Sequence, residues 1–227
     1  IEPTKNYCIM SELSEHTESK KYDYENKYVY DVYESIADHF SSTRTYQWGW
    51  IKSFMAGMPL QASVLDIGCG NGRNMKFYTG HNMKGIDTCS KFVHMCRKDN
   101  LDVVRANMCD IPYDNNSFDA LLVIASFHHL EHEIHRIKAL EEMYRILKEG
   151  GNVLLSVWSK EQPTKTRRKF DNYGDNLVPW TQLNGTTYQR YYYIFQKDEL
   201  KKLIEQTGFK IHSWTWECGN EVLILTK

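Results

Sequence analysis

The apolar positions of this chain follow a helical period in some segments and form short unbroken runs in others. Within 24–40 (YENKYVYDVYESIADHF), spacings of four, three and four residues place apolar side chains on one face of an amphipathic helix: Val29, Tyr33, Ile36 and Phe40. A second helical face lies in 131–148, before Gly150-Gly151, and a third lies in KDELKKLIEQTG near the C-terminus. The pattern predicts amphipathic helices that each cover a core with one face.

Apolar runs between the helical segments are typical of buried strands: SVLDIG, MKGID, LDVVRA, FDALLVI and NVLLSVW. Strands that alternate with helices form a parallel sheet with right-handed crossovers and helices on both faces. FKIHSWTW and EVLILT follow, separated only by ECGN, and so short a link requires an antiparallel hairpin. The predicted fold class is α/β, with a seven-stranded, mostly parallel sheet that ends in a C-terminal antiparallel hairpin.

The chain divides into a tail, one domain and an insertion within that domain. Residues 1–23 are polar, charged and without periodicity, so we predict a flexible tail. Residues 24–227 are predicted as a single domain, because one core suffices for a chain of 227 residues. Residues 159–190 show no regular pattern and contain the basic run KTRRK at 165–169. Loops of this length are usually functional or disordered, and we predict a basic insertion here.

Composition limits the kinds of partner. A net charge of −1 and a pI near 6.8 give no overall basic face, so any nucleic-acid surface must be local or supplied by a partner. The apolar runs are too short to cross a bilayer, and no basic segment followed by an apolar one opens the chain. The cysteines form no C-x-x-C pair, which favours free thiols in a reducing compartment: Cys8, Cys69, Cys89, Cys96, Cys109 and Cys218. We expect a cytoplasmic protein that does not enter a membrane.

A glycine-rich turn follows the first predicted strand. The segment VLDIGCGNGRN at 64–74 places Gly68, Gly70 and Gly72 at alternate positions behind an acid, Asp66. Glycine lets the backbone pass close to a bulky ligand, and the first strand of an open parallel sheet normally borders the ligand crevice. The turn therefore predicts a ligand-binding site at the carboxyl end of this strand.

Two further acids follow the next strands. Asp87 ends the second strand, 21 residues after Asp66, where a carboxylate accepts hydrogen bonds from ribose hydroxyls. Asp110 follows the third strand and is placed to accept from an adenine amino group. A dinucleotide site is the competing interpretation, and it is disfavoured because no phosphate-binding lysine follows the glycines. The carboxylates instead suit a ligand with a cationic amino-acid end.

These residues resemble the S-adenosylmethionine-dependent methyltransferases of the seven-stranded Rossmann-like class, over about residues 64–227. The resemblance implies S-adenosylmethionine as the cofactor, held by Asp66, Gly68, Gly70, Gly72, Asp87 and Asp110. A noncatalytic scaffold of the same fold is one alternative, because fold does not imply activity. A small-molecule methyltransferase is another, because it needs the same turn but no basic insertion.

The fourth strand runs into IASFHHLEHEIHR, which contains four histidines within eight residues. His128 and His132 have the spacing of a helical zinc pair, but no H-E-x-x-H motif or cysteine pattern accompanies them, so we predict no metal site. His132 and His135 are interpreted as surface residues. His128 lies just past the end of the strand, where substrates bind in such sheets, and a capping or packing role is its alternative.

A narrower resemblance rests on DVYESIADHFSSTR, SFHHL, DNLVPW and QRYYYIF. These blocks are similar to the eukaryotic tRNA wobble-uridine carboxymethyl methyltransferases, which esterify 5-carboxymethyluridine in the anticodon. The resemblance implies that Arg44, His128 and Arg190 handle the substrate, with a structural ion pair as the alternative for each arginine. It also implies the tRNA anticodon region as a partner, together with a small zinc-binding activator subunit in a heterodimer.

The chemistry of this reaction is compatible with those residue types. A uridine carboxylate is already ionised at neutral pH, so methyl transfer to it needs placement rather than a strong base. Arginine can hold a carboxylate with a planar fork of donors. The tyrosines 191–193 and the basic run 165–169 are candidates for contacting RNA, although a tyrosine that faces the core and a solvated charged loop are the alternatives. The strand around LDVVRA is an expected sheet edge, where a partner can add a strand.

Overall fold

The computed structural model describes residues 25–166 and 169–227, so the predicted tail at 1–23 lies outside the described residues. A π-helical turn at Asn26–Tyr30 continues into α1 (Asp31–Ser42), and the further helices are α2 (Gly49–Ala56), α3 (Arg73–Phe77), α4 (Ser90–Lys98), α5 (Glu133–Ile146) and α6 (Lys197–Gln206), with a 3-10 turn at Phe127–His129. The strands are β1 (Ser63–Ile67), β2 (Asn82–Asp87), β3 (Val103–Arg105), β4 (Phe118–Ile124), β5 (Leu147–Trp158), β6 (Gly174–Thr181), β7 (Thr187–Ile194), β8 (Lys210–Glu217) and β9 (Asn220–Thr226).

Seven of these strands form one sheet, in the order β3-β2-β1-β4-β5-β9-β8. The strands from β3 to β5 pair in parallel, whereas β9 pairs antiparallel to both β5 and β8. This arrangement confirms the predicted fold class, including the C-terminal hairpin. The strand order reverses between β1 and β4, which is where an open α/β sheet binds its ligand.

Alternation along the central strands divides the core between the two faces of the sheet. Leu65, Leu121 and Leu155 point toward α5 and α6, whereas Leu122 and Leu154, one residue further along or back, pack with α2 on the opposite face. Both faces are covered, so the central strands carry apolar residues at consecutive positions, as in LLVI of β4 and VLL of β5. Among the described residues, no helix combines the length and apolar character that a membrane span requires.

The prediction that residues 159–190 have no regular structure is wrong for the second half of this segment. Strands β6 and β7 form a separate antiparallel hairpin there, from Gly174 to Ile194. A two-stranded ribbon is marginal alone, but Tyr192 and Ile194 of β7 pack with Phe170 against Trp158 at the end of β5. The hairpin therefore lies beside the carboxyl ends of the sheet strands, close to the expected ligand crevice.

Glycine conformation determines the path of the chain after β1. Gly72 has a φ of +69°, and a Cβ added to it would overlap the side chain of Leu101. Gly150 has a similar φ of +74°, but nothing lies within 4 Å of an added Cβ. The two positions share the backbone constraint and differ in the space available.

We predict that Gly72→Ala lowers the free energy of unfolding by about 2–5 kcal/mol, because left-handed strain adds to overpacking. Gly150→Ala is the control and is expected to cost only the strain, about 1–2 kcal/mol. Urea denaturation of both variants measures the difference. Equal losses at the two positions would contradict the packing role of Gly72.

Candidate active site

A cavity of about 420 Å³ opens where β1, β2 and β4 end. The residues that follow these strands form one wall, and the other wall comes from α1 and the segment between α1 and α2. Trp158 at the end of β5 and Tyr192 of β7 close the cavity toward the hairpin. The ligand site predicted at the carboxyl end of β1 is therefore a concave space between the sheet and the N-terminal helix.

The glycine turn forms the floor of this cavity. Gly68 and Gly70 have φ values of +72° and +55°, and the backbone N–H groups of Gly68 and Cys69 donate to Ile86 O at 2.8 and 3.1 Å. A Cβ on Gly68 would overlap Ser126, whereas one on Gly70 would meet nothing within 4 Å. The open space beside Gly70 belongs to the cavity, so this glycine lets a ligand lie against bare backbone.

Asp87 is the acid that faces the cavity. Its carboxylate accepts hydrogen bonds from the backbone N–H groups of Gly70 at 2.8 Å and Cys89 at 2.9 Å, which fix its orientation. Burial raises the pKa of Asp87 to about 6, although the backbone donors act in the opposite direction. A carboxylate held in this way can accept hydrogen bonds from the hydroxyls of a bound ribose.

The remaining predicted cofactor residues do not line the cavity. Asp66 is buried behind the turn, where its carboxylate accepts from Asn74 Nδ2 at 3.2 Å and burial raises its pKa to about 7. Gly72 packs on Leu101, as described above. Asp110 is exposed, and Asn107 and Met108 line that end of the cavity instead. The structure thus brings Gly68, Gly70 and Asp87 together and leaves the other three in supporting or outer positions.

Two arginines lie near each other at the side of the cavity formed by α1 and the hairpin. Arg44, just after α1, lines the cavity, and its guanidinium carbon lies 4.3 Å from the ring centroid of Phe40 and 5.6 Å from that of Trp180. Arg190 of β7 lies behind this wall, with its guanidinium carbon 4.8 Å from the Trp180 centroid and 5.2 Å from that of Tyr192. Both cations therefore share the Trp180 ring.

Within the part of the chain that the structure describes, this pair of cations has no counter-charge. No carboxylate of the described residues lies within 4 Å of Arg44 or Arg190. Arg190 is 4% exposed, and its Nε and Nη1 atoms are buried without a hydrogen-bond partner among the described residues. Burial lowers the pKa of Arg44, and the nearby Arg190 cation adds to this effect. An anion bound beside Arg44 would relieve both the repulsion and the desolvation.

His128 and His129 take different positions because they follow each other in a tight 3-10 turn. His128 is fully buried, and its Nδ1 accepts from the backbone N–H of Trp158 at 3.0 Å. His129 lines the cavity, with its Nδ1 2.7 Å from Tyr191 O and its Nε2 3.0 Å from the Tyr33 hydroxyl. The first histidine therefore supports Trp158, and the second faces the ligand space.

With this geometry in place, similarity to known proteins identifies the family. A family described as "Methyltransferase domain" matches residues 65–155. A tRNA (carboxymethyluridine(34)-5-O)-methyltransferase from Schizosaccharomyces pombe is 37% identical over an aligned length of 227 positions. The alignment covers 90% of this chain and 98% of that protein. This chain belongs to the tRNA carboxymethyluridine methyltransferase family. Relatives of the same name also include longer proteins, and the matched region covers 38% of the Arabidopsis thaliana one.

Solved structures support the same fold. A SAM-dependent methyltransferase from Methanosarcina mazei superposes with a TM-score of 0.64 at 18% identity, over 80% of this chain and 98% of that one. A putative methyltransferase in complex with the Trm112 methyltransferase activator of Haloferax volcanii gives 0.61 at 17% identity, over 88% and 98%. The cofactor of this methyltransferase is S-adenosylmethionine. The glycine turn after β1 and Asp87 fit the nucleoside end of this cofactor.

Sequence reasoning missed several residues of the site. The apolar period places Tyr33 on a helix face without a role, and the blocks SFHHL and DNLVPW contain His129 and Trp180 without indicating what either side chain does. The doublet of histidines gave no way to tell which ring faces the cavity, because the 3-10 turn after β4 decides it. Trp180 could be recognised only once β6 and β7 were known to pair.

We predict that cofactor affinity falls as the pH drops through about 6. Ribose hydroxyls bind the ionised Asp87, and below its pKa of about 6 binding must first displace a proton. Calorimetric titration with S-adenosylhomocysteine between pH 5 and 8 should show this loss, and Asp87→Asn should bind more weakly and without the pH dependence. Asp66→Asn is the control, because Asp66 titrates nearby but does not line the cavity. This variant should still lose cofactor affinity as the pH drops. An unchanged pH profile in Asp87→Asn would remove Asp87 from the site.

Proposed function

We propose that this chain transfers a methyl group from S-adenosylmethionine to the carboxylate of 5-carboxymethyluridine at the wobble position of tRNA. The observation that carries this proposal is the pair of guanidinium groups, Arg44 and Arg190, that share Trp180 and have no carboxylate partner among residues 25–166 and 169–227. The substrate carboxylate is the counter-charge that this end of the cavity needs. The names of the relatives support the same reaction.

Placement is the chemical task of the residues in this cavity. The cofactor supplies an electrophilic methyl group when it is bound at the glycine turn. A carboxylate oxygen is ionised at neutral pH and attacks without losing a proton, so the protein needs no general base. Arg44 holds the carboxylate through its planar fork, and Arg190 adds positive potential from behind. His128 acts indirectly, since it supports Trp158 in the cavity wall.

Aromatic residues near the opening suit RNA. Tyr46 lines the cavity and is 78% exposed, and Trp48 and Trp50 lie beside it with their ring centroids 5.9 Å apart. Unpaired anticodon bases stack on such side chains. Of the basic run, Lys165 and Lys169 are described, and the two arginines between them lie outside the described residues. We propose that these features contact the anticodon loop and stem.

We also propose that a small zinc-binding activator subunit pairs with the edge strand β3. Gly85 N donates to Asp102 O and Ala106 N donates to Asp87 O, so by alternation the backbone of Val103 and Arg105 faces away from β2. Arg97 Nε already donates to Val103 O at 3.1 Å, which leaves the N–H and C=O of Arg105 for a partner strand. The activator complex of the Haloferax neighbour supports this assembly.

Arg44→Lys and Arg190→Lys test the carboxylate site. Each keeps a charge but loses the planar fork and its stacking, so kcat/KM on carboxymethyluridine tRNA should fall about tenfold or more, equal to about 1.4 kcal/mol. Cofactor affinity should stay unchanged, and tRNA with unmodified uridine should not be methylated. Arg145→Lys is the control, because Arg145 donates only to groups outside the cavity, and it should lose stability while the folded protein keeps its turnover. Near-normal turnover in both cavity variants would refute the acceptor site.

Arg105→Pro tests the partner surface. Proline removes the outward N–H of Arg105 and leaves the inner ladder of β3 intact, so the chain should fold but lose binding to the activator. Arg105→Ala is the matched control, because it removes the side chain and keeps the N–H. Co-purification of the two chains measures the outcome. Undiminished pairing of the proline variant would contradict strand addition at β3.

A further inference from the structure

A hydrogen-bonded chain of hydroxyl and imidazole groups lies between the cavity and Arg190. The Tyr33 hydroxyl is 3.0 Å from His129 Nε2 and 3.3 Å from the Tyr192 hydroxyl. Arg190 also interacts with the Tyr33 side chain, so this hydroxyl has neighbours on several sides. Tyr33 and His129 are not needed for any step described above.

The directions of these hydrogen bonds follow from the fixed partner at one end. The carbonyl of Tyr191 can only accept, so the 2.7 Å contact requires His129 Nδ1 to carry the proton. Burial lowers the pKa of His129 to about 3, so the ring is neutral and Nε2 must accept. The Tyr33 hydroxyl therefore donates to His129 Nε2. Its oxygen lone pairs remain for the donors on its other side, Tyr192 and Arg190.

We infer that Tyr33 is a positioning residue for the acceptor carboxylate: His129 orients its hydroxyl, and the oxygen holds the Arg190 guanidinium behind Arg44. This inference rests on the proposed function, because it assigns Arg190 to the carboxylate site. The guanidinium of Arg190 has only donors, so the Tyr33 oxygen can face it only if the hydroxyl hydrogen points elsewhere. His129 Nε2 accepts that hydrogen and thereby sets the orientation of the hydroxyl. Tyr33 acts through Arg190 and does not itself take part in the transfer.

The packing of Tyr33 is separable from its hydroxyl. Its ring lies edge-on to Phe40 with centroids 5.3 Å apart, and 6.4 Å from the ring of Phe92. Tyr33→Phe keeps these contacts and removes only the oxygen. His129→Gln and His129→Asn separate the two hydrogen bonds of the imidazole. Glutamine places a polar group near Nε2, which contacts Tyr33, and asparagine places one near Nδ1, which contacts Tyr191 O. A merely structural anchor on Tyr191 O predicts that asparagine is the better replacement.

The experiment measures binding of two anticodon stem-loop RNAs, in the presence of S-adenosylhomocysteine, to the wild-type chain with its activator subunit. One RNA carries 5-carboxymethyluridine and the other carries the neutral 5-carbamoylmethyluridine. We expect the wild type to prefer the charged RNA, and Tyr33→Phe to lose at least about fivefold of that preference while it stays folded and its cofactor affinity stays unchanged. His129→Gln should keep more of the preference than His129→Asn.

Two results would overturn the inference: full preference in Tyr33→Phe, or better retention by His129→Asn than by His129→Gln. Folding failure of the histidine variants leaves Tyr33→Phe to decide. If the wild type neither prefers the charged RNA nor methylates carboxymethyluridine tRNA, the proposed function fails instead. If the wild type methylates the tRNA and Tyr33→Phe keeps the full preference for the charged RNA, only the role of Tyr33 is refuted and the proposed function stands.

Discussion

Two like charges share one aromatic ring in the wall of the cavity, and the acceptor side of the site depends on this unfavourable pair. Arg44 and Arg190 lie 5.6 and 4.8 Å from the Trp180 centroid and have no carboxylate within reach among the described residues. Buried cations without a counter-charge are costly. The faces of Phe40, Trp180 and Tyr192 offset part of that cost through cation–π attraction. The remaining cost favours binding of an anion, and we propose that this anion is the substrate carboxylate.

The two ends of the cavity come from different parts of the fold. Glycines and an acid at the ends of β1 and β2 form the end that we assign to the cofactor, because an open sheet of this topology binds its ligand there. The acceptor end is built from elements added to the sheet: α1 and the loop after it supply Tyr33 and Arg44, and the hairpin supplies Trp180 and Arg190. The hairpin can hold a buried cation because it packs on Trp158 at the end of β5. Under the proposed function, substrate choice therefore resides outside the shared core.

Sequence patterns predicted the sheet and its order of elements well, because period and apolar runs follow directly from burial. The hairpin was missed because β6, GDNLVPWT, opens with Gly-Asp-Asn and carries Pro179, residues that are typical of turns rather than of strand interiors. The placement of Asp110 outside the cavity depends on the turn after β3, where Asn107 and Met108 take the inner position. Local geometry of this kind is set by tertiary contacts that no spacing rule contains.

A structure of the chain with S-adenosylhomocysteine and a carboxymethyluridine anticodon stem-loop tests the central claim most directly. The account predicts that the nucleoside carboxylate lies within hydrogen-bond distance of the Arg44 guanidinium, with Arg190 directly behind it. The same structure can show the two cations neutralised by an RNA phosphate or by the carboxylate of the cofactor product. A nucleoside carboxylate bound elsewhere in the cavity would contradict the account.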